Sequence, residues 1–497
     1  MQSGSLKKSN EYLLTIVFSI VLAMTVLFKS PLNPLLKVTV MNQDSAVFRT
    51  VAYAMSRGYM PYRDSFDHKG PIIYILNFIG DYVISEKYGL WLIEVLSMAI
   101  SVFFLYLTAR LISDHLQSCF VVLLSTSLIL LYFHTGNFVE EYALPYIAIS
   151  NYIFLDYMIK SEITLKRVLI CGMCFGFVIM LRPNMITVWL YFCIVILFGL
   201  LRQRQIALAL KYAGLFVAGA AAAVVPIIIW FIGNNGLSDF WDDYIMFNLL
   251  YSSSGIDKKM EAFCYFGSSP LILISLLISA VYAIVKKDKT ASVCLGFEML
   301  SLIMVSIGGT KFDHYGLTLV PCIVSPLCLL MRIPQWIRRD RIRLWVENVM
   351  ALFMSFAFIL PAWIAVGLDI YDANNNVDNP ISMTTESAAI AEVVEVIRQE
   401  TSYEDKISVF GSWDNIYISA DRMHATQYSY QDPICYADPD MMRDYIDQLE
   451  SEKPVLIVVQ SGYYNQINSA LLENNYELIW VSDPDNVSSS TAVFKLV

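Results

Sequence analysis

The sequence has few charged residues. Lys, Arg, Asp and Glu make up 16% of its 497 residues, whereas an ordinary soluble domain carries about 25%. Hydrophobic residues make up 57%, and the mean hydropathy is +0.54. This composition excludes a soluble enzyme and a disordered chain. The sequence also has no basic cluster beside a folded aqueous core and a pI of about 5.1, which excludes a nucleic-acid-binding protein.

Several chemical signatures are absent as well. Most of the nine cysteines lie inside apolar runs, which is typical of small buried fillers and not of a disulfide framework. No Gly-x-Gly-x-x-Gly or P-loop is present, so nucleotide binding is not expected. There is no internal repeat of the kind that marks many transporters. The chain has no His-x-x-x-His motif, and we predict no cofactor and no metal requirement.

The charge that is present is unevenly distributed. Residues 370–497 carry 21 acidic and 6 basic residues, whereas residues 1–369 carry 23 acidic and 28 basic residues. The first part therefore has the composition of a domain embedded in a bilayer, and the second part has that of a domain exposed to water. We predict a transmembrane domain over 1–369, a polar linker over 370–384 and a separate domain over 385–497.

Eleven apolar runs have lengths near the roughly 20 residues that a spanning helix needs. We predict a polytopic α-helical membrane protein with about 11 spans. The runs are Tyr12–Phe28, Tyr88–Ala109, Leu116–His134, Tyr142–Met158, Val168–Asn184, Met185–Leu201, Ala207–Ile232, Ala262–Val285, Ala291–Gly308, Gly316–Met331 and Leu344–Leu368.

The positions of Lys and Arg predict the orientation. With the N-terminus in the cytoplasm, the inner loops hold 17 of the 34 basic residues. Eleven crossings then place the C-terminal domain outside, in a multi-pass protein of the plasma membrane. The same count places four polar loops outside, at residues 29–87, 135–141, 233–261 and 309–315.

The first outer loop is the longest. Apolar residues at helical spacing predict an amphipathic helix over Asp44–Arg57, lying on the membrane surface. A second helix is predicted from Pro71 to about Ile84, since proline suits a first helical turn. Between them, residues 63–70 form the densest ionisable stretch of the membrane half.

Further polar groups converge on the same leaflet. Glu140 and Glu141 stand at a helix start, and Arg182-Pro183-Asn184 ends the fifth span at the outer face. The last outer loop contains Lys311 and the pair 314–315, His-Tyr. Ionisable residues at a membrane boundary are costly unless they are paired or functional, so we expect a site there.

These motifs resemble the GT-C superfamily of polyprenyl-phosphate-sugar-dependent glycosyltransferases, which includes protein O-mannosyltransferases and the lipid A aminoarabinose transferase. The likeness covers most of residues 1–370 as a pattern. It rests on an acid at the start of a surface helix, Gly-Tyr-Met-Pro-Tyr-Arg-Asp at 58–64, Lys-Gly-Pro at 69–71, Glu-Glu at 140–141, Arg-Pro-Asn at 182–184 and a late His-Tyr.

The resemblance implies roles for these residues. The family's first-loop catalytic acid corresponds to Asp44, and its Lys-Pro-Pro, which faces the lipid phosphate, appears here as Lys69-Gly70-Pro71. The second outer acid is Glu140 or Glu141, a choice that the sequence leaves open. The implied partners are a polyprenyl-phosphate sugar, membrane lipid and a glycan, lipid or protein acceptor.

Sugar transfer from a lipid phosphate needs a carboxylate to accept the acceptor's proton and cations to stabilise the departing phosphate. We expect catalysis by the outer acids, phosphate binding by the basic residues of the outer face and substrate contacts by their neighbours. The candidates for catalysis are Asp44, Glu140 and Glu141. The candidates for phosphate binding are Arg63, Lys69 and Arg182. The candidates for substrate contacts are Asp67, His68, Lys311, His314 and Tyr315.

Structural alternatives exist for the main candidates. Asp44 suits an N-terminal helix cap, and Lys69 and Arg63 suit anchoring to lipid headgroups. For the whole chain, the alternatives are a transporter or flippase of lipid-linked sugars and an O-antigen polymerase or ligase. A transporter would place its charged residues midway along helices, whereas here they are densest in the outer loops.

The C-terminal part alternates helical and strand patterns, which predicts a small α/β domain with a largely parallel sheet. Helices are expected over Ser387–Gln399, Met441–Leu449 and Asn465–Leu472. Strands are expected over Lys406–Phe410, Val455–Val459, Leu478–Val481 and Ala492–Leu496. The segment Gly411–Tyr417 follows a strand end, where α/β sheets place ligands, and is predicted to contact the acceptor or to cap the membrane site.

Overall fold

The computed structural model describes residues 2–36, 42–133, 136–251, 255–375, 385–432, 434–463, 467 and 475–497. Helices dominate the first three quarters of the chain. They are α1 Gln2–Val26, α2 Gln43–Ser56, α3 Pro71–Phe78, α4 Gly89–Arg110, α5 His115–Tyr132, α6 Val139–Lys160, α7 Leu165–Ile179, α8 Thr187–Arg202, α9 Ile206–Gly233, α10 Leu237–Asp239, α11 Phe247–Tyr251, α12 Ile256–Gly267, α13 Pro270–Val285, α14 Lys289–Ser306, α15 Val320–Leu330, α16 Asp340–Met354 and α17 Leu360–Asn375.

Helices occupy every apolar run that predicts a span. By length and composition, six helical segments of the described residues suit a membrane crossing, or seven if one bent pair counts as a single span. The segments 89–110, 115–132, 206–233, 289–306, 313–336 and 340–371 qualify. The other predicted runs form shorter helices or helices with more polar ends, so eleven crossings remain a prediction.

The run Ala262–Val285 is the bent pair, and its crossing as one span stays a prediction. α12 and α13 meet at an angle of 85°. The break falls at Ser268–Ser269, directly before Pro270. Proline lacks an N–H group and disfavours helical geometry in the residue before it, so α13 begins anew at Pro270.

The chain forms two compact units. The first contains Met1–Asn33, Trp91–Ile229 and Tyr251–Tyr371, and the second contains Pro34–Leu90, Trp230–Leu250 and Asp372–Val497. The first outer loop thus shares a unit with the C-terminal domain, whereas the predicted domain boundaries group it with the membrane helices.

The described residues of the C-terminal domain form four helices and a five-stranded sheet. They are α18 Thr385–Glu400, β1 Lys406–Phe410, α19 Asn415–Ala420, β2 Met423–His424, α20 Ile434–Ala437, α21 Pro439–Glu452, β3 Leu456–Val459, β4 Tyr476–Val481 and β5 Ala492–Leu496. Each predicted strand is confirmed to within two residues, and the helices predicted over 387–399 and 441–449 are confirmed to within three. The helix predicted over Asn465–Leu472 falls almost entirely outside the described residues.

The sheet is mixed, and its prediction as largely parallel is wrong. The strand order is β2-β1-β3-β5-β4; β1 pairs in parallel with β2 and β3, whereas β5 is antiparallel to both β3 and β4. Only residues 482–491 connect β4 to β5, and they contain no crossover helix. A parallel pairing needs a longer connection, usually with a helix.

Helix α2 packs against the C-terminal domain. Its residues Val47, Phe48, Val51 and Ala54 are buried, and Tyr53 and Ala54 pack against Met423 of β2. The helix is confirmed, but its predicted position on the membrane surface is wrong for this apolar face. The face is covered by protein, because burial against a folded domain satisfies an amphipathic helix as well as lipid does.

Candidate active site

Asp44 lies in the first turn of α2 but is not its cap. The Asn42 side chain accepts the Ser45 N–H at 2.7 Å and so holds the N-cap position. Asp44 is half-buried and lies near Tyr430. Burial and Asp67 are the main causes that raise the pKa of the Tyr430 phenol, and Asp44 adds to that shift. The cap of α2 is therefore Asn42, and the alternative role of Asp44 as the cap is wrong.

Asp67 is the most enclosed charged group of the first outer loop, with 2% of its surface exposed. Its Oδ2 accepts the Tyr74 hydroxyl, and its Oδ1 accepts the Tyr430 hydroxyl, both at 2.9 Å. The His68 backbone N–H donates to Oδ1 at 2.7 Å. Burial raises the pKa of Asp67, but its contacts with His68 and Lys69 lower it more, to about 2. Asp67 is therefore a charged carboxylate at neutral pH.

His68 lies between Asp67 and Lys69. Its Nδ1 is 3.2 Å from Asp67 Oδ1, and its Nε2 is 2.7 Å from Lys69 Nζ. An ammonium group has donors only, so Nε2 must accept the hydrogen bond and Nδ1 must carry the proton. The arrangement is thus a charged carboxylate, a neutral imidazole and an ammonium in line.

The backbone at Lys69 is also held. The hydroxyl of Tyr62 donates to the Lys69 carbonyl at 2.6 Å. Tyr62 is fully buried and has a φ of 70°, a left-handed conformation that costs a non-glycine residue about 1–2 kcal/mol. Its ring packs against those of Tyr74 and Phe240. The loop therefore tolerates backbone strain at the point that holds Lys69.

Arg63, the other predicted phosphate ligand of this loop, is already occupied. It donates to both oxygens of Asp64 at 2.9 and 2.7 Å and to the Asn234 carbonyl at 2.8 Å. Its side chain is 40% exposed. Arg63 and Lys69 share a loop, but only Lys69 lacks a direct carboxylate partner among the described residues.

In the first unit, Arg182 and Glu140 form a buried ion pair with an N–O distance of 2.5 Å. The guanidinium lies 4.1 Å from the centre of the Tyr315 ring. His314 Nε2 is 4.0 Å from the second Glu140 oxygen, and its ring stacks on Phe138. Four predicted residues therefore come together here: Glu140, Arg182, His314 and Tyr315.

A small cleft with a cavity volume of about 20 Å³ adjoins this group. Glu140, Arg182, Tyr315 and Asn184 contribute to its lining. It has room for about one water molecule, next to one carboxylate, one guanidinium and one amide.

Glu141 has a different partner, which the sequence analysis did not single out. Glu141 and Glu94 are both fully buried. The Asn137 N–H donates to both, at 2.7 Å for Glu94 and 3.1 Å for Glu141, and Ser30 donates to Glu94 at 2.8 Å. The two carboxyl groups are therefore neighbours that share one backbone donor. The sequence offered one signal for this pair: each acid lies near the start of a helix that begins on the predicted outer side.

Lys311 lies apart from the Arg182 group. It pairs with the exposed Glu261 at 3.0 Å. Among the described residues, no three His, Cys, Asp or Glu side chains are grouped so that they could hold a metal ion. A metal-independent site stays a prediction.

A family model for the N-terminal domain of the competence-induced protein Ccs4 matches residues 3–369. The chain belongs to this family. No curated protein matches the sequence.

The fold of this chain is similar to those of several solved structures. The aminoarabinose transferase ArnT of Cupriavidus metallidurans, bound to undecaprenyl phosphate, has a TM-score of 0.61 and 12% identity over 98% of both chains. Its apo form gives 0.60 and 13%, over 99% of this chain and 98% of ArnT. The oligosaccharyltransferase of Archaeoglobus fulgidus, in complex with Zn and sulfate, gives 0.51 and 13%, over 97% of this chain and 73% of that enzyme. The chain therefore has the GT-C fold that the motifs implied.

Proposed function

We propose that the protein is a membrane glycosyltransferase that moves one sugar from a polyprenyl-phosphate donor to an acceptor on the outer face of the plasma membrane. The main support is the fold likeness, over 98% of both chains, to an ArnT structure that holds undecaprenyl phosphate. The acceptor is a glycan, a lipid or a protein of the cell envelope.

The proposed reaction is a single displacement with inversion. The Asp44 carboxylate takes the proton of the acceptor hydroxyl while that oxygen bonds to the anomeric carbon. The bond from the anomeric carbon to the phosphate oxygen breaks, and its electron pair stays on the phosphate. The position of Asp44 supports this role, because Asn42 already caps α2.

Lys69 and Arg182 are the proposed cations for the phosphate charge, with Arg63 in a lesser role. Lys69 is held by a neutral ring nitrogen and so keeps its full charge toward a ligand. Arg182 lines a cleft with Glu140. Of the two outer acids, we assign Glu140 to the site, because Glu140 pairs with Arg182, whereas Glu141 shares the Asn137 N–H with the buried Glu94.

The test is transfer by the purified protein. It is incubated with labelled polyprenyl-phosphate sugars and a membrane extract as the acceptor source, and donor consumption and product mass are measured. We expect release of polyprenyl phosphate together with an acceptor one sugar heavier. Movement of intact donor across vesicles without a product would instead support the flippase alternative.

The orientation has its own test. An impermeant thiol reagent is applied to cells that carry Trp480→Cys in β4 or Lys287→Cys in the predicted inner loop after α13. The exposed Cys264 is replaced by Ser in both. We expect labelling at 480 only. Labelling at 287 only would reverse the orientation and move the first loop to the cytoplasm.

A further inference from the structure

The hydroxyl of Tyr430, in the C-terminal domain, contacts the first outer loop 363 residues earlier in the chain. It donates to Asp67 Oδ1 at 2.9 Å, and both residues are buried. The same carboxylate approaches His68, which accepts the hydrogen bond of Lys69. Four side chains thus form one continuous line from the C-terminal domain to the Lys69 ammonium.

The backbone joins the two segments as well. The Phe66 N–H donates to the Gln427 carbonyl at 2.8 Å, and the Gln427 side-chain amide donates to the Tyr62 carbonyl at 2.7 Å. The Phe66 and Tyr428 rings lie 5.4 Å apart. Residues 427–430 therefore brace the loop that contains Asp67, His68 and Lys69.

We propose that the C-terminal domain is a working part of the donor site, in which Tyr430, Asp67 and His68 orient Lys69 toward a lipid phosphate. The inference rests on the proposed function, since it assumes that Lys69 binds that phosphate. Tyr430, Asp67 and His68 act as positioning residues.

The chemistry of each link supports this role. A lysine side chain is a flexible stem with a point charge and needs an external partner to fix its direction. Because the Lys69 ammonium can only donate, His68 Nε2 accepts and the Nδ1 proton lies on the side of Asp67, whose Oδ1 is 3.2 Å away. One ammonium hydrogen is used in this way, and two remain for phosphate oxygens. Since the imidazole is neutral, it orients the ammonium without cancelling its charge.

The experiment measures the affinity of the purified full-length protein for undecaprenyl phosphate, with undecaprenol as the phosphate-free control. Tyr430→Phe removes only the hydroxyl. We expect about a tenfold higher Kd, equivalent to about 1.4 kcal/mol, and unchanged undecaprenol binding. The matched control is Tyr476→Phe, because the Tyr476 hydroxyl donates to the Pro454 carbonyl inside the C-terminal domain. Its Kd should stay within twofold of that of the wild type.

A double-mutant cycle separates positioning from general stability. In a Lys69→Ala background, Tyr430→Phe should cause no further loss, because its target is gone. His68→Ala should behave in the same way, and it serves as the second variant if Tyr430→Phe is poorly produced. Additive losses would show that Tyr430 acts elsewhere and would overturn the inference.

These variants distinguish failure of this inference from failure of the proposed phosphate site. If Lys69→Ala weakens binding but Tyr430→Phe and His68→Ala do not, the inference is wrong and the proposed phosphate site stands. If Lys69→Ala itself leaves the Kd unchanged, the phosphate site of the proposed function is wrong, and this inference fails with it.

Discussion

The two candidate clusters hold their cations in different ways. In the first unit, Arg182 pairs directly with the buried Glu140. In the second unit, Lys69 contacts a neutral ring nitrogen, and the carboxylate stands one residue further away. A direct pair neutralises charge and ties the cation to the fold, whereas an indirect pair orients the cation and leaves its charge available. We infer that Arg182 serves stability and ligand binding together, and that Lys69 serves binding.

The largest stability effect is expected at Arg182. Arg182→Ala leaves the Glu140 carboxylate, 3% exposed, without its guanidinium, and breaking a buried pair costs about 3–5 kcal/mol. We expect a clearly lower melting temperature and membrane level. The double variant Arg182→Gln with Glu140→Gln should recover much of the loss. Equal stability of Arg182→Ala and the wild type would show that the Arg182–Glu140 pair does not stabilise the fold.

Asp414 offers a comparison with Asp67 inside the second unit. Both carboxyl groups are buried, but burial raises the pKa of Asp414 to about 7, whereas that of Asp67 is about 2. A raised pKa in the folded state adds stability at pH values below 3.8 that is lost as the pH rises through 7. Asp67 has the opposite sign: it adds stability above pH 3.8, which is lost as the pH falls through 2.

Asp414→Asn should therefore raise the stability of the protein at pH 8 and flatten its pH dependence between 4 and 7. The gain is at most about 4 kcal/mol, since one pKa unit corresponds to about 1.4 kcal/mol. Melting temperatures of both proteins over pH 4–8 measure it. Parallel curves for the two proteins would show that Asp414 does not titrate in this range.

The expected effects at Lys69 and Arg63 differ in size. Lys69→Ala should reduce affinity for undecaprenyl phosphate by an amount typical of one charged hydrogen bond, about 1.5–3 kcal/mol, with little change in melting temperature. Arg63→Ala should cost less than about 1 kcal/mol of affinity, as for exposed pairs, because Asp64 and the Asn234 carbonyl already occupy it. Lys311→Ala is the control, since Lys311 pairs with Glu261. A larger loss for Arg63→Ala than for Lys69→Ala would reverse the assignment.

The sequence predicted the local elements well. The helical runs and four strands follow from periodicity over neighbouring residues, and the strand Lys406–Phe410 is confirmed at both ends. The mixed sheet and the bend at Pro270 were missed. The sheet depends on which distant strands pair, and the run of apolar residues across Pro270 hid the break.

The candidate site could be predicted as a set of residues but not as a set of contacts. The charges around Arg182 come together as expected, because they stand at helix ends that the predicted topology places on one side of the membrane. The neighbouring acids Glu94 and Glu141 are 47 positions apart, and the hydrogen-bonded pair Tyr430 and Asp67 is 363 positions apart. No local pattern marks such pairs. The resemblance to a family supplied Asp44, and only the structure shows that Asn42 caps its helix.

Turnover of a polyprenyl-phosphate sugar by Asp44→Asn tests the central claim most directly. The substitution keeps the size of the side chain and spares the Asn42 cap, so folding should be preserved. Loss of the base should slow transfer about 10²–10⁴-fold, while affinity for undecaprenyl phosphate is retained. The control is Asp257→Asn, which changes an exposed acid at the same helical position, the first turn of α12, and should leave turnover unchanged. Near-wild-type turnover by Asp44→Asn would contradict the assignment of Asp44 as the catalytic base.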